Sequence, residues 1–117
     1  MTEKNQTIFG KIIRGEVDAD VVYEDDDTLA FRDANPVAPT HILVIPKQHV
    51  VNLFDAEDDH QALLGKLMLT ARDIAEEQGL EEDGFRLVVN NGEGVGQSVF
   101  HLHIHILGGR SFSWPPG

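Results

Sequence analysis

The stretch between residues 100 and 107 constrains the fold of this chain more than any other feature. Histidines alternate there with aliphatic side chains, in the order His101, Leu102, His103, Ile104, His105 and Ile106. Because successive side chains of a β-strand point to opposite faces, this alternation predicts a strand from Phe100 to Leu107 with one aliphatic and one imidazole face. Neighbouring histidines would lie roughly 6.5 to 7 Å apart along the strand, close enough to address one ligand.

The histidine spacing alone leaves three interpretations of the imidazole face open. The histidines could bind a metal ion, act in acid, base or nucleophilic catalysis, or form a structural row. Each buried imidazole nitrogen needs a hydrogen-bond partner, so a row kept only for stability is the least favoured of the three. The chain has no cysteine, which excludes a thiolate zinc site and a disulfide framework.

The segment that precedes the histidines is rich in glycine. Between Asn90 and Ser98, glycines occupy positions 92, 94 and 96. Glycine lets the backbone approach a ligand closely, and consecutive amides in such a turn can bind an anion. The same composition is also typical of an ordinary hairpin connection. Its position directly ahead of the histidines favours a phosphate-binding turn.

The remaining pattern predicts one α+β domain over residues 1–117, with a polar N-terminal extension at 1–6. Apolar residues recur at helical spacing in a short segment from Ile8 to Ile13, which Gly15 follows, and in a long one from Asp58 to Gln78. Four further β-forming segments lie at 21–24, 28–32, 41–45 and 85–90. Short, locally connected strands beside one long helix favour a mainly antiparallel sheet.

The charge of the chain limits its partners. Nine basic residues against twenty acidic residues give a formal net charge of -11, which repels nucleic-acid polymers and anionic membranes. A small nucleotide stays possible, because backbone amides and a few local donors can hold one phosphate. The acidic runs are typical of solvated surfaces or of adaptation to high salt. Apolar runs are too short for a signal or membrane segment, so we expect a soluble cytoplasmic protein.

The residues from His101 to Arg110 resemble the signature of the histidine-triad (HIT) superfamily, which is His-x-His-x-His with hydrophobic residues at the x positions. Four more segments resemble the Hint branch, the purine nucleoside phosphoramidases: residues 8–14, 38–47, 96–98 and 113–117. The resemblance implies an approximately five-stranded antiparallel sheet with one long and one short helix, joined to a second sheet across a homodimer. It also implies an AMP or GMP pocket, hydrolysis of nucleoside 5′-phosphoramidates, and no required metal or other cofactor.

The resemblance implies a role for each histidine. His103 would be the nucleophile that attacks the α-phosphorus and forms a nucleotidyl-histidine intermediate. His105 would contact the phosphate and assist proton transfer. His101 and His41 would orient and polarise the nucleophile through a hydrogen-bonded row. Without the resemblance, His41 would simply begin a strand.

The same resemblance implies a nucleotide pocket around these histidines. Ser98 and the backbone of Gly96 and Gln97 would donate to phosphate oxygens or to the leaving nitrogen, and Asn90 would add a contact. Asp33 would accept hydrogen bonds from both ribose hydroxyls, although Asp33 and Asn90 are otherwise ordinary turn residues. The other implied pocket residues are Ala34 next to Asp33 and the walls around the base: Phe9, Ile12, Phe31 and Leu43.

The C-terminal tail, residues 111–117, is expected to reach the partner subunit. Its prolines favour an extended backbone, and Trp114, the only tryptophan, would contact the neighbouring active site. The alternative is a tail packed on its own subunit. Two other functions remain open: a dinucleoside polyphosphate hydrolase of a sister branch, and a nucleotide-binding regulatory or scaffold protein.

Overall fold

A computed structural model describes residues 5–117, in which two helices and five strands follow one another along the chain. Residues 1–4 of the predicted N-terminal extension lie outside the described residues. The helices are α1 (Ile8–Ile13) and α2 (Gln61–Glu77), and the strands are β1 (Val21–Glu24), β2 (Thr28–Arg32), β3 (Thr40–Pro46), β4 (Phe85–Val88) and β5 (Ile104–Gly108). Short 3₁₀ turns lie at Asp58–His60 and Glu93–Val95.

The strands form one antiparallel sheet in the order β1-β2-β3-β5-β4, so the predicted α+β class and five-stranded sheet are confirmed. β3 lies at the centre and pairs with β5 in a register that sets Leu43 opposite His105 and His41 opposite Leu107. His41 and His105 are therefore diagonal neighbours on the two adjacent strands. No helix in the described part of the chain is long and apolar enough to cross a membrane.

The short helix begins and ends where the sequence indicates. The hydroxyl of Thr7 accepts a hydrogen bond from the backbone N–H of Gly10 at 3.1 Å, which caps the first turn. Gly15 follows the helix with φ +76°, a left-handed conformation that glycine adopts without strain. Position 10 has no room for a side chain, because a Cβ built there would lie 2.5 Å from the side chain of Asn5. A glycine at position 10 therefore allows Asn5 to pack against α1.

Both faces of the sheet are covered. On one face, buried residues of α2 such as Leu67 and Ala71 pack in a cluster with Ile42, Val44 and Ile106. On the other face, α1 covers a smaller cluster that consists of Phe9, Leu29, Phe31, Leu43 and Ile45. Burial on both faces explains why β3 is apolar at nearly every position.

The histidine segment departs from its predicted boundaries. Strand β5 begins at Ile104, not at Phe100, because the backbone N–H of Leu102 donates to the carbonyl of Val50 at 2.7 Å, away from the ladder with β3. Leu102 still packs in the cluster under α2, together with Ile104 and Ile106. The alternation of faces therefore begins before the strand itself. Strand β4 also differs from the prediction, because it ends at Val88 and not at Asn90.

Candidate active site

A cavity of about 750 Å³ lies on the α1 side of the sheet. Its wall includes nine of the residues that the sequence places in the pocket: Phe9, Ile12, Phe31, Asp33, Ala34, Leu43, Ser98, His103 and His105. The wall also includes residues that sequence reasoning missed, among them Val99 and the connection from Val17 to Asp20. Nothing in their sequence pattern separates them from ordinary connecting segments.

His103 presents an unprotonated nitrogen. Its Nδ1 lies 2.7 Å from the backbone carbonyl oxygen of His101, and a carbonyl can only accept a hydrogen bond, so Nδ1 carries the proton. Nε2 is therefore left with its lone pair. The ring is buried, with the ring of Phe9 at 5.0 Å in an edge-on arrangement. Burial lowers the pKa of His103, which favours the neutral imidazole that a nucleophile requires.

His41 and His105 form a second hydrogen-bonded pair with the opposite tautomer. The backbone N–H of Val37 donates to Nδ1 of His41 at 3.1 Å, so the proton of neutral His41 lies on Nε2. That Nε2–H donates a hydrogen bond to Nδ1 of His105 at 2.9 Å, so the proton of neutral His105 lies on Nε2. Burial, then the neighbouring His103 and His41, lower the pKa of His105 to about 4. His105 is therefore a neutral N–H donor.

His101 supports the site from outside the cavity wall. Its ring is fully buried, its Nε2 donates to the carbonyl of Pro46 at 2.7 Å, and its Nδ1 accepts from the amide of Asn5 at 2.9 Å. Burial lowers the pKa of His101 to about 4. Both ring nitrogens are thus satisfied, and the ring stacks on His49 with centroids 5.3 Å apart.

The histidines are not connected as the resemblance implies. In place of one row that polarises the nucleophile, the backbone carbonyl of His101 contacts His103, and His41 contacts His105. Asn5 is a supporting residue that sequence reasoning missed. It lies 96 positions from its partner His101, and no local signal marks such a contact.

The glycine-rich segment is held largely by its own hydrogen bonds. Gly92 and Gly96 have φ +115° and +109°, and they flank the 3₁₀ turn. The backbone N–H of Gly96 donates to the carbonyl of Glu93, and that of Gln97 donates to the carbonyl of Gly92. These two amides, which the resemblance assigns to the phosphate, are therefore already engaged. The hydroxyl of Ser98 makes no hydrogen bond within residues 5–117 and lines the cavity.

Two more expected pocket residues lie outside the cavity wall. The side chain of Gln97 is buried and forms hydrogen bonds to the loop at residues 51 and 52, so it acts as a structural brace. The side-chain amide of Asn90 lies against Gly96, 3.6 Å from the position where a Cβ would stand. Both residues therefore act on the site indirectly, by holding the conformation of the glycine-rich segment.

Asp33, His41 and His105 are close enough to be considered as metal ligands, since their ligand atoms lie within 4.8 Å of one another. Nε2 of His41 lies 3.3 Å from the Asp33 carboxylate and carries a proton, because its Nδ1 already accepts from Val37. A metal on Nε2 would move that proton to Nδ1, where it would face the Val37 N–H. These residues therefore do not fit a metal ion in their present tautomers.

The chain is similar to known proteins over nearly its whole length. The HIT domain family matches residues 14–112. An uncharacterized HIT-like protein of Synechococcus elongatus is 64% identical over 111 residues, which cover 95% of this chain and 96% of the relative. A 14 kDa zinc-binding protein of Brassica juncea is 53% identical over 113 residues, covering 95% and 99%.

A solved structure extends the likeness from sequence to fold. The crystal structure of a HIT family hydrolase from Legionella pneumophila matches with a TM-score of 0.92 at 50% identity, and the match covers 94% of this chain and 98% of that one. The family match includes the three histidines, the cavity wall formed by β2 and β3, and the glycine-rich segment. This chain therefore belongs to the HIT domain family, and its fold is that of a HIT family hydrolase.

Proposed function

We propose that this protein hydrolyses the P–N bond of purine nucleoside 5′-phosphoramidates through a covalent nucleotidyl-histidine. The observation that carries the proposal is the pair of opposite tautomers on one cavity wall. His103 offers a lone pair at Nε2 and His105 offers a proton at Nε2, and their ring centroids are 4.9 Å apart. A nucleophile beside a hydrogen-bond donor is an arrangement that favours attack at phosphorus, because the donor stabilises the charge that develops on the departing group.

The reaction proceeds in two steps. Nε2 of His103 attacks the α-phosphorus and the P–N bond breaks, while the Nε2–H of His105 donates a hydrogen bond at the departing group and the leaving nitrogen takes a proton from water, which leaves hydroxide. A second water then takes the place of the amine and attacks the phosphorus as the bond to His103 breaks, and the proton it releases neutralises that hydroxide. The products are a nucleoside 5′-monophosphate and a free amine. Ser98 donates its hydroxyl to a phosphate oxygen, which stabilises the charge that develops during both steps.

The nucleotide occupies the wall next to these groups. The Asp33 carboxylate accepts hydrogen bonds from the ribose hydroxyls. One of its oxygens also accepts a hydrogen bond from the backbone N–H of Asn35 at 2.8 Å, which fixes the orientation of the carboxylate. The base lies against the apolar wall formed by Phe9, Ile12, Phe31 and Leu43, with Ala34 at the ribose end. Asn90 acts by supporting the glycine-rich segment, through its contact with Gly96.

The first test compares leaving groups. We expect adenosine 5′-phosphoramidate and an AMP-lysine conjugate to be cleaved much faster than diadenosine triphosphate, measured as kcat/KM in parallel. A chelator should leave the rates unchanged, because no step uses a metal. Faster cleavage of diadenosine triphosphate would assign the chain to dinucleoside polyphosphate hydrolysis instead. Nucleotide binding without turnover of any substrate would favour a regulatory or scaffold protein.

The second test removes the nucleophile. His103→Ala should lower kcat by at least about a thousandfold, because loss of a covalent nucleophile removes the reaction path while the other donors still hold the phosphate. Calorimetry should still detect AMP binding to this variant. His60→Ala is a matched control, because His60 lies outside the cavity wall and its hydrogen-bond partners are Gln48 and the backbone of Glu57. A near-native rate for His103→Ala would show that another group attacks.

The third test uses pH. Burial holds the pKa of His103 below its ordinary value of 6.5, so the nucleophile stays unprotonated until the pH falls below that value. We expect the acid limb of kcat/KM to have its midpoint below pH 6.5, measured between pH 4 and 8. A midpoint at or above 6.5 would contradict a buried, neutral nucleophile.

Unfolding must be measured over the same pH range. The folded-state pKa of His101 is about 4 against 6.5 for the free side chain, so the unfolded chain binds more protons between these values. The free energy of unfolding should therefore decrease as the pH falls from about 6.5 to about 4. Circular dichroism at each pH separates this loss from the titration of the nucleophile.

The fourth test concerns assembly. We propose a homodimer in which Trp114 contacts the partner's active site. Trp114 is 82% exposed in the single chain. The tail starts beside the edge strand β4, where Arg86 donates to the carbonyl of Ser113 at 3.0 Å. Light scattering should give the mass of two chains. Removal of residues 113–117 should change substrate preference more than unfolding stability. A fully active monomer would refute this assembly.

A further inference from the structure

A second cavity, of about 400 Å³, lies next to the first. It is lined by Glu93, Gly96, Gln97, Ser98 and Phe100. Ser98 belongs to the walls of both cavities, so the second cavity begins at the residue whose hydroxyl we assign to the reacting phosphate. A nucleotide in the first cavity would direct the rest of its substrate toward the second. The second cavity is therefore placed to receive the leaving group.

The backbone that carries this cavity is well fixed. The buried Gln97 accepts the backbone N–H of Gly92 at 2.9 Å and donates to the carbonyl of Val51 at 2.6 Å. The carbonyl of Phe100 accepts from Nε2 of His49 at 2.9 Å. Both ends of the cavity wall are thus anchored to the loop that follows β3, and a ligand meets a preformed surface.

The two side chains that project from this wall have complementary chemistry. The carboxylate of Glu93 is exposed and forms no hydrogen bond or ion pair with any residue from 5 to 117. Phe100 is 48% exposed, so its ring is accessible to a ligand in this cavity. A carboxylate and an aromatic ring both attract ammonium groups, the first by ion pairing and the second through its π face.

The charge of the whole chain acts in the same direction. A formal net charge of -11 raises the local concentration of cations and repels anionic groups. A leaving group that carries its own phosphates or a carboxylate would therefore meet an unfavourable field at Glu93. An amine with a second, positively charged group would meet a favourable one.

We propose that the cavity at Glu93, Ser98 and Phe100 is the leaving-group subsite, and that it selects amines bearing a second cationic group. Glu93 pairs with that cation, and Phe100 contacts the alkyl chain and the cation. The inference rests on the proposed function, because it assigns a leaving group to the P–N bond that His103 attacks. Glu93 is a specificity residue and takes no part in bond breaking.

The test uses three AMP phosphoramidates whose amines share one six-carbon chain and differ only at its far end. The end groups are an ammonium, from 1,6-diaminohexane, a methyl, from hexylamine, and a carboxylate, from 6-aminohexanoate. A second set of conjugates with a four-carbon chain tests a shorter distance between the P–N bond and the end group. We expect kcat/KM to decrease from ammonium to methyl to carboxylate, with roughly 5- to 20-fold between the first two.

Variants test whether the second cavity causes the preference for the ammonium compound. Glu93→Gln should reduce the ammonium-to-methyl ratio to within about twofold of unity, since the ion pair is lost. Phe100→Leu should reduce the ratio in part. Glu82→Gln removes the same charge from an exposed turn outside both cavities and should leave the ratio unchanged. Added salt should also reduce the ratio, because the pair is exposed.

Binding separates this inference from the proposed function. The same conjugates are titrated calorimetrically into His103→Ala, where the ammonium compound should bind more tightly than the methyl compound. Equal turnover of the two compounds, or a ratio that Glu93→Gln does not change, would overturn the subsite while P–N hydrolysis stands. Absence of turnover for every conjugate would overturn the proposed function and the subsite together.

Discussion

The hydrogen bond between Nδ1 of His103 and the carbonyl of His101 determines what this site can do. It spans only two residues, and it forms because the chain has not yet entered strand β5 at these positions. In a regular strand, the carbonyl of His101 would point sideways toward a neighbouring strand. The irregular entry into β5 therefore fixes the tautomer of neutral His103, in which the outer nitrogen is the unprotonated one.

A backbone group also sets the second tautomer. The Val37 amide fixes the proton of His41 on Nε2, and His41 in turn fixes the proton of His105. Neither histidine needs a carboxylate for this, although Asp33 lies 3.3 Å from His41. Two main-chain groups, one a carbonyl and one an amide, thus give neighbouring imidazoles opposite roles. Main-chain groups have no protonation state that varies with pH, so they select the same tautomer of each ring at every pH at which that ring is neutral.

The sequence predicts which face of a strand each side chain occupies better than it predicts where the strand begins. The alternation after Phe100 correctly separates Leu102 and Ile104 from the histidines, because burial acts on each side chain whether or not its backbone is in a ladder. The predicted strand starts four residues too early, because the Leu102 amide donates to the Val50 carbonyl and no local pattern reveals that contact. Similarly, the pocket residues follow from the resemblance, whereas the Asn5 contact and the internal bonds of the glycine-rich segment depend on long-range geometry.

The cavity wall is also part of the hydrophobic core. Phe31 and Leu43, which face the proposed base site, are only 4% and 5% exposed and pack in the cluster beneath α1. Replacing such a residue by a smaller one removes packing contacts as well as reshaping the pocket, at a cost of about 2 to 5 kcal/mol. Evolution toward a different base is therefore coupled to thermodynamic stability. The leaving-group side, built on exposed side chains around a braced turn, is free of that coupling, so lineages should diversify there first.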